Sequence, residues 1–161
     1  MKVDIRSARV TDAPALSEIA FHAKSHWEYP DVWLQSWREE LMLSPDDLLT
    51  HTTFVAVAES SRPVGFCVLD VAGASAAVEH LWIAPAYHGH GIGRAPLQRS
   101  LDAARVAGAT RPEVSDPFAE WFYLQMAARR LGEVPASMPG AADRTLPLLE
   151  LALPRSSGGS D

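Results

Sequence analysis

The chain predicts a mixed α/β (α+β) fold, a central mixed sheet of about seven strands flanked by helices, and three observations predict it. Short runs of branched and aromatic residues alternate with segments whose apolar residues recur at helical spacing. Three glycines, Gly89, Gly91 and Gly93, separate a strand-like run, Val78 to Pro85, from a helical one containing Leu97, Leu101 and Ala104. The 161 residues, 47% hydrophobic and 21% charged, suit one globular domain with a real core.

Val3 to Ala8 reads as the first strand. Thr11-Asp12 then supplies a helix cap, and Leu16, Ile19, Ala20 and Ala23 line one helical face. Pro30-Asp31 starts a second helix with Trp33, Trp37 and Leu41 four apart, a spacing that reads as core. Thr52 to Glu59 and Val64 to Val71 are strands joined by the turn "SSRP", and Ala76 to Ala84 is a fourth. Proline is tolerated in the first turn of a helix, so Pro96 puts the helix start close to Gly93. That helix runs to about Ala107, with Gly108 as its stop. Thr110 to Ser115 is a short fifth strand, and Pro112 within it implies a side without a pairing partner. Phe118 to Arg130 reads as another helix, and Glu133 to Met138 and Leu146 to Leu153 as a final strand pair around "PG". Residues 1–154 form the domain, and "RSSGGSD", 155–161, a flexible tail.

Composition excludes several classes. A net charge of −6 argues against nucleic acid as a partner. No apolar run approaches the ~20 residues of a membrane span, and Met1 to Val10 lacks a signal peptide's apolar stretch. The single cysteine, Cys67, precludes an internal disulfide and fits a cytoplasmic protein; within "GFCVLD" it reads as a buried structural thiol. His22 and His26 stand four apart, but without an H-E-x-x-H pattern or a cysteine pair no metal is expected. Charge is unevenly spread. Arg94, Arg99, Arg105 and Arg111 surround the glycine turn, opposed by Asp102, whereas Glu28, Asp31, Glu39, Glu40, Asp46 and Asp47 face Arg38 alone. The functional reading is an anionic cofactor at one end and a cationic acceptor at the other.

A strand, a glycine turn and a helix start present backbone N–H groups and a helix dipole to an anion. The P-loop is excluded because Arg94-Ala95 follows the last glycine, where Lys and then Ser or Thr are needed. The dinucleotide fingerprint fails too, since its third glycine would fall on Arg94 or Pro96. "HGHGIG" instead stands where Q/R-x-x-G-x-G/A does in another family, with His88 in the first position. Further on, "DPFAEWFYLQMAARR" places Asp116 at that family's Asn, matches Ala119 and Tyr123, and has Ala127 in place of Gly. On these two motifs and the element order from Val3 to Leu153, the chain resembles the GNAT superfamily of acyl-CoA-dependent N-acetyltransferases.

The resemblance implies acetyl-CoA as co-substrate and a primary amine, small molecule or peptide, that attacks it directly in a ternary complex. It implies that the fourth and fifth strands splay apart and that the pantetheine arm pairs with the fourth, at Leu81, Trp82 and Ile83. The pyrophosphate would lie in the turn formed by His88, Gly89, His90, Gly91, Ile92, Gly93 and Arg94, with Asp116 near the cofactor. Tyr123 takes the position of the general acid beside the CoA sulfur. The first two helices cap the acceptor side, where His26, Trp27, Glu28 and Tyr29 stand; rings and carboxylates together suit a cation with apolar surface. A homodimer is compatible with it. His88, shorter than Arg or Gln, together with Asp116 and Ala127, also suits a non-catalytic acyl-CoA-binding or sensing module.

A free alkyl amine of pKa ~10.4 is only about 0.1% neutral near pH 7.4, so a base helps it attack. Glu79, at the start of the fourth strand, is the first candidate. His80 is the second; it faces the other side of a regular strand unless a bulge reverses the assignment.

Overall fold

A computed structural model describes residues 2–116 and 120–153. Seven strands, β1 (Asp4–Ser7), β2 (Thr52–Val57), β3 (Pro63–Ala72), β4 (Ser75–Ile83), β5 (Arg111–Ser115), β6 (Arg129–Pro135) and β7 (Thr145–Glu150), form one sheet in the order β1-β2-β3-β4-β5-β7-β6. Every neighbouring pair is antiparallel except β4 and β5, which are parallel. The helices are α1 (Ala13–Ser25), α2 (Asp31–Trp37), α3 (Pro45–Thr50), α4 (Arg94–Val106) and α5 (Glu120–Gln125). None is long and apolar enough to cross a membrane.

Strand alternation divides the core. Phe66 and Val68 of β3 pack with Val55, Leu48 and the α1 residues Leu16, Ile19 and Ala20. Cys67 and Leu69, pointing the opposite way, pack with Leu97, Leu101 and Ala104 of α4 and with Tyr123 of α5. The sheet is thus a middle layer between α1 and α4. Burial pushes the Cys67 thiol up to about 12, so it stays protonated and inert in this core.

Several elements differ from expectation. Asp12 stands at the N-cap position of α1 but makes no side-chain hydrogen bond to that helix: its carboxylate takes the Arg6 guanidinium at 2.8 and 2.9 Å and the Arg9 N–H at 2.7 Å, which caps the 3-10 turn Val10–Asp12 ahead of α1. The paired guanidinium hydrogen bonds hold that carboxyl below its ordinary pKa. α3 was not expected, although "SPDD" carries its signal. Ser44 Oγ accepts from the Asp47 N–H at 3.1 Å, and Asp47 accepts from the Ser44 N–H at 2.8 Å, a reciprocal cap. Pro112 lies in an inner strand, but the Leu151 N–H donates to its carbonyl at 2.8 Å. A strand residue's nitrogen and carbonyl face one side, so the missing donor faces the end of β7 and not the space beyond β4.

The helix expected over Phe118 to Arg130 ends far sooner, and its first residues, with Ala119, lie outside the described ones, as does the expected tail 155–161. The N–H groups of Ala127 and Ala128 donate back to the carbonyls of Leu124 and Tyr123 at 3.2 and 3.1 Å, and Ala127 sits at φ 65°. This is a left-handed helix stop made by alanine. The chain then pairs Arg129 with Glu150 in the sheet. A left-handed alanine costs ~1–2 kcal/mol, and glycine gives back part of that in chain entropy. Ala127→Gly is therefore expected to stabilise the fold by roughly 0.5–1 kcal/mol in urea unfolding. A loss of stability would show that this cap is not strained.

Candidate active site

The site begins where two strands part. β4 and β5 pair only at Ser75–Arg111, Ala76–Pro112 and Ala77–Glu113; β5 then continues beside β7 alone. Beyond Ala77 one edge of β4 is open. The Ala84 N–H donates to the Val64 carbonyl on β3 at 2.8 Å. By alternation Trp82 also turns its backbone groups to β3, whereas Leu81 and Ile83 turn theirs to the opening.

A bulge lies in the same stretch. Val68 pairs with His80 and Leu69 with Val78, which leaves Glu79 as the extra residue. Val78 and Leu81 pack on the α4 side of the sheet and Trp82 on the α1 side. The bulge brings Glu79 and His80, which would alternate in a regular strand, to the wall of one cleft.

That cleft, about 630 Å³, is bounded by Lys24, Trp37, Glu40, Glu79, His80, Leu81, Trp82, Asp116, Tyr123, the 136–138 segment and Arg144, among others. A second cleft of about 520 Å³ lies on the other side of β4's open edge. Leu81, Trp82 and Asp116 line both, so the two spaces meet at the parting of the strands.

The second cleft gathers most of the expected cofactor residues: Leu81, Trp82, Ile83, His88, Gly89, Gly91, Ile92, Gly93 and Asp116. Gly89 and Gly91 adopt φ 82° and 70°, and a Cβ on either would meet nothing within 4 Å. Glycine is needed there for the backbone conformation, not for room. Ile92 is buried with Ala56 and Val64, and pins the turn to the sheet. His90 and Arg94 are exposed and lie outside this lining. His88 is turned inward, its Nε2 2.8 Å from the Ile83 carbonyl and its ring centroid 5.0 Å from that of His26. The arginines around the turn have other neighbours: Arg99 lies over Phe54 at 5.0 Å, and Arg105 pairs with Asp102 at 2.7 Å.

Tyr123, on α5, reaches the larger cleft while only 1% exposed. Burial, then the nearby Asp116 charge, raises its pKa well above the ordinary value, so the hydroxyl keeps its proton. His80 has a different constraint. The Trp82 indole N–H donates to His80 Nδ1 at 3.0 Å, and an indole nitrogen can only donate. The neutral ring therefore carries its proton on Nε2, and its one lone pair is occupied. Burial lowers the imidazole to about 4, so it is neutral near pH 7. Glu79, exposed at the wall, makes no such side-chain hydrogen bond among the described residues.

The acceptor-side residues separate. Trp27 lines the second cleft, not the larger one. Glu28, at φ 56°, and Asp31 are exposed and outside both linings. Tyr29 joins Trp33 and Trp37 in an aromatic group, with ring centroids 4.8–5.9 Å apart. The Trp33 indole N–H donates to the Pro139 carbonyl at 2.8 Å, tying this group to the β6–β7 connection. Two residues passed over in the sequence, Lys24 and Arg144, lie against these rings and line the larger cleft. Neither stands in a motif; the fold alone brings them together.

A family model described as the acetyltransferase (GNAT) family matches residues 16–124. Among solved structures, PaiA N-acetyltransferase from Thermoplasma acidophilum in complex with coenzyme A superposes with a TM-score of 0.73 at 18% identity, over 94% of this chain and 99% of that one. The ribosomal-protein-S18-alanine N-acetyltransferase from Escherichia coli gives 0.72 at 16% identity, over 99% of each chain. YncA of Salmonella typhimurium, solved with its cofactor acetyl-CoA, gives 0.69 at 20%, also over 99% of each. Comparison with curated protein sequences gave no match.

Proposed function

The chain belongs to the acetyltransferase (GNAT) family and is an acyltransferase; from that premise we propose that it moves an acetyl group from acetyl-CoA to a primary amine by direct attack in a ternary complex. The observation that carries this reading is the pair of clefts meeting at Leu81, Trp82 and Asp116, with Tyr123 on the wall of one and the glycine turn on the wall of the other. A thioester lying along the open edge of β4 would be met there by an amine entering from the larger cleft.

The residues suit the co-substrate. Leu81 and Ile83 offer backbone groups to the pantetheine amides, and the turn at Gly89 to Gly93 with the start of α4 offers N–H groups to a pyrophosphate. His88, held by the Ile83 carbonyl, shapes the turn and leaves the anion to those backbone donors.

In the reaction the amine nitrogen forms a bond to the acyl carbon, the carbon–sulfur bond breaks, and the thiolate takes a proton. Tyr123, buried and protonated, supplies that proton. Glu79 takes the proton the amine sheds, directly or through a water. His80 positions the wall and is not the base, because Trp82 holds its only lone pair.

Thiol release from acetyl-CoA across a panel of amines tests the reading; CoA binding with no release on any amine would favour the sensing module. Tyr123→Phe should lower kcat by roughly 10²–10⁴-fold while CoA affinity by calorimetry is kept. A variant with wild-type turnover, with chemistry shown to be rate-limiting, removes Tyr123 from the mechanism. Glu79→Gln should slow alkyl amines strongly near pH 7 and weakly near pH 9, where more of the amine is already neutral. An equal loss at both values would show that Glu79 is not the base.

A further inference from the structure

The larger cleft carries two cations on an aromatic bed. Lys24 Nζ lies 4.0 Å from the ring centroid of Trp37, 5.0 Å from Tyr29 and 5.6 Å from Trp82. The Arg144 guanidinium lies 5.2 Å from Trp33, 5.7 Å from Trp37 and 6.0 Å from Tyr29. The rings that would receive a cationic acceptor are thus occupied by the protein's own charges. A cation with apolar surface, as expected from the sequence, would share these rings with Lys24 and Arg144.

Their hydrogen-bonding capacity is largely unspent. Among the described residues Lys24 makes no hydrogen bond and no ion pair within 4 Å. Arg144 donates to the Ala136 carbonyl at 3.3 Å, a fraction of its five donors. Burial lowers the Lys24 pKa and the Arg144 charge adds to that, while Asp116 and Glu40 oppose it in part. An arriving anion would relieve the repulsion between the two cations and use their N–H groups in charge-assisted bonds.

The same cleft also carries carboxylates, Asp116 and Glu40 near Lys24 and Glu79 at the bulge. Glu40 and Glu79 are shared with an adjoining cleft of about 260 Å³ that adds Glu39 and Asp47. The space thus holds both signs, with Glu79 at the bulge and Lys24 and Arg144 on the rings.

We propose that the acceptor is an amine that also bears a carboxylate, which Lys24 and Arg144 bind while its amino group faces Glu79. This specificity rests on the acetyl-transfer reading above, and its test separates the two.

Acid and amide pairs, alanine with alaninamide and 4-aminobutyrate with 4-aminobutyramide, serve as acceptors in the thiol-release assay. Their N-acetylated forms serve as binding probes read by tryptophan fluorescence, which needs no turnover. The acid is expected to exceed the amide in kcat/KM or in probe affinity for at least one pair. Arg144→Met and Lys24→Met should each lower that ratio by about 10–100-fold, and Arg144→Lys should restore part of it. Calorimetry with CoA confirms that each variant is folded. Acid-selective probe binding without any thiol release supports the proposal and overturns acetyl transfer instead. Amides that match or exceed the acids in both measurements overturn the proposal, as do ratios unmoved in both folded Met variants.

Discussion

Three paired positions hold β4 and β5 together before β5 turns wholly to β7, and the rest of the site depends on that parting. A parallel pair that continued would satisfy the backbone of Leu81 and Ile83 and close the space between the clefts. An open strand edge inside a protein is costly, because each unpaired N–H or carbonyl must find another partner. The fold meets this cost locally. His88 engages the Ile83 carbonyl, and the clefts on both sides keep the remaining edge accessible. The glycine turn is pinned by Ile92 to the sheet it serves, so the edge and the turn form one rigid wall.

The bulge at Glu79 makes a second decision. With strict alternation, Glu79 and His80 would face opposite layers. The extra residue puts both at the larger cleft while Val78 and Leu81 still reach the α4-side core. Of the two titratable side chains at this wall, His80 has its Nδ1 taken by the Trp82 indole, so Glu79 is the proposed base. Burial acts on the two core-facing groups in opposite senses. It keeps the proton on Tyr123 and takes the charge from His80, in each case favouring the neutral form.

What was legible in the sequence was what local spacing encodes. The apolar faces of α1 and α4, the strand runs of β2 to β5, the helix start near Gly93 and the hairpin at the C-terminal side all follow from period and turn chemistry. Residues 126–130 read as helix because Met126, Ala127 and Ala128 are good helix formers. Pairing of Arg129 and Arg130 with β7 outweighs that preference, and nothing local announces it. The capping pattern of "SPDD" is local and encodes the start of α3. The bulge was foreseen as a condition, but its presence depends on the pairing with β3. Lys24 and Arg144 were invisible for a stronger reason. They lie on the first long helix and near the last strand, and only the closure of the 136–144 segment over α2, through Trp33 and Pro139, makes them neighbours.

The central claim is that the open edge of β4, at Leu81 and Ile83, is where the co-substrate lies. Amide hydrogen exchange resolved to single residues, with and without CoA, tests it directly. The account predicts that the N–H groups of Leu81 and Ile83 and those of Gly89 to Gly93 become protected together when CoA is added, while that of Trp82, already turned to β3, changes little. Protection that appears elsewhere, with Leu81 and Ile83 exchanging as in the free protein, would contradict it.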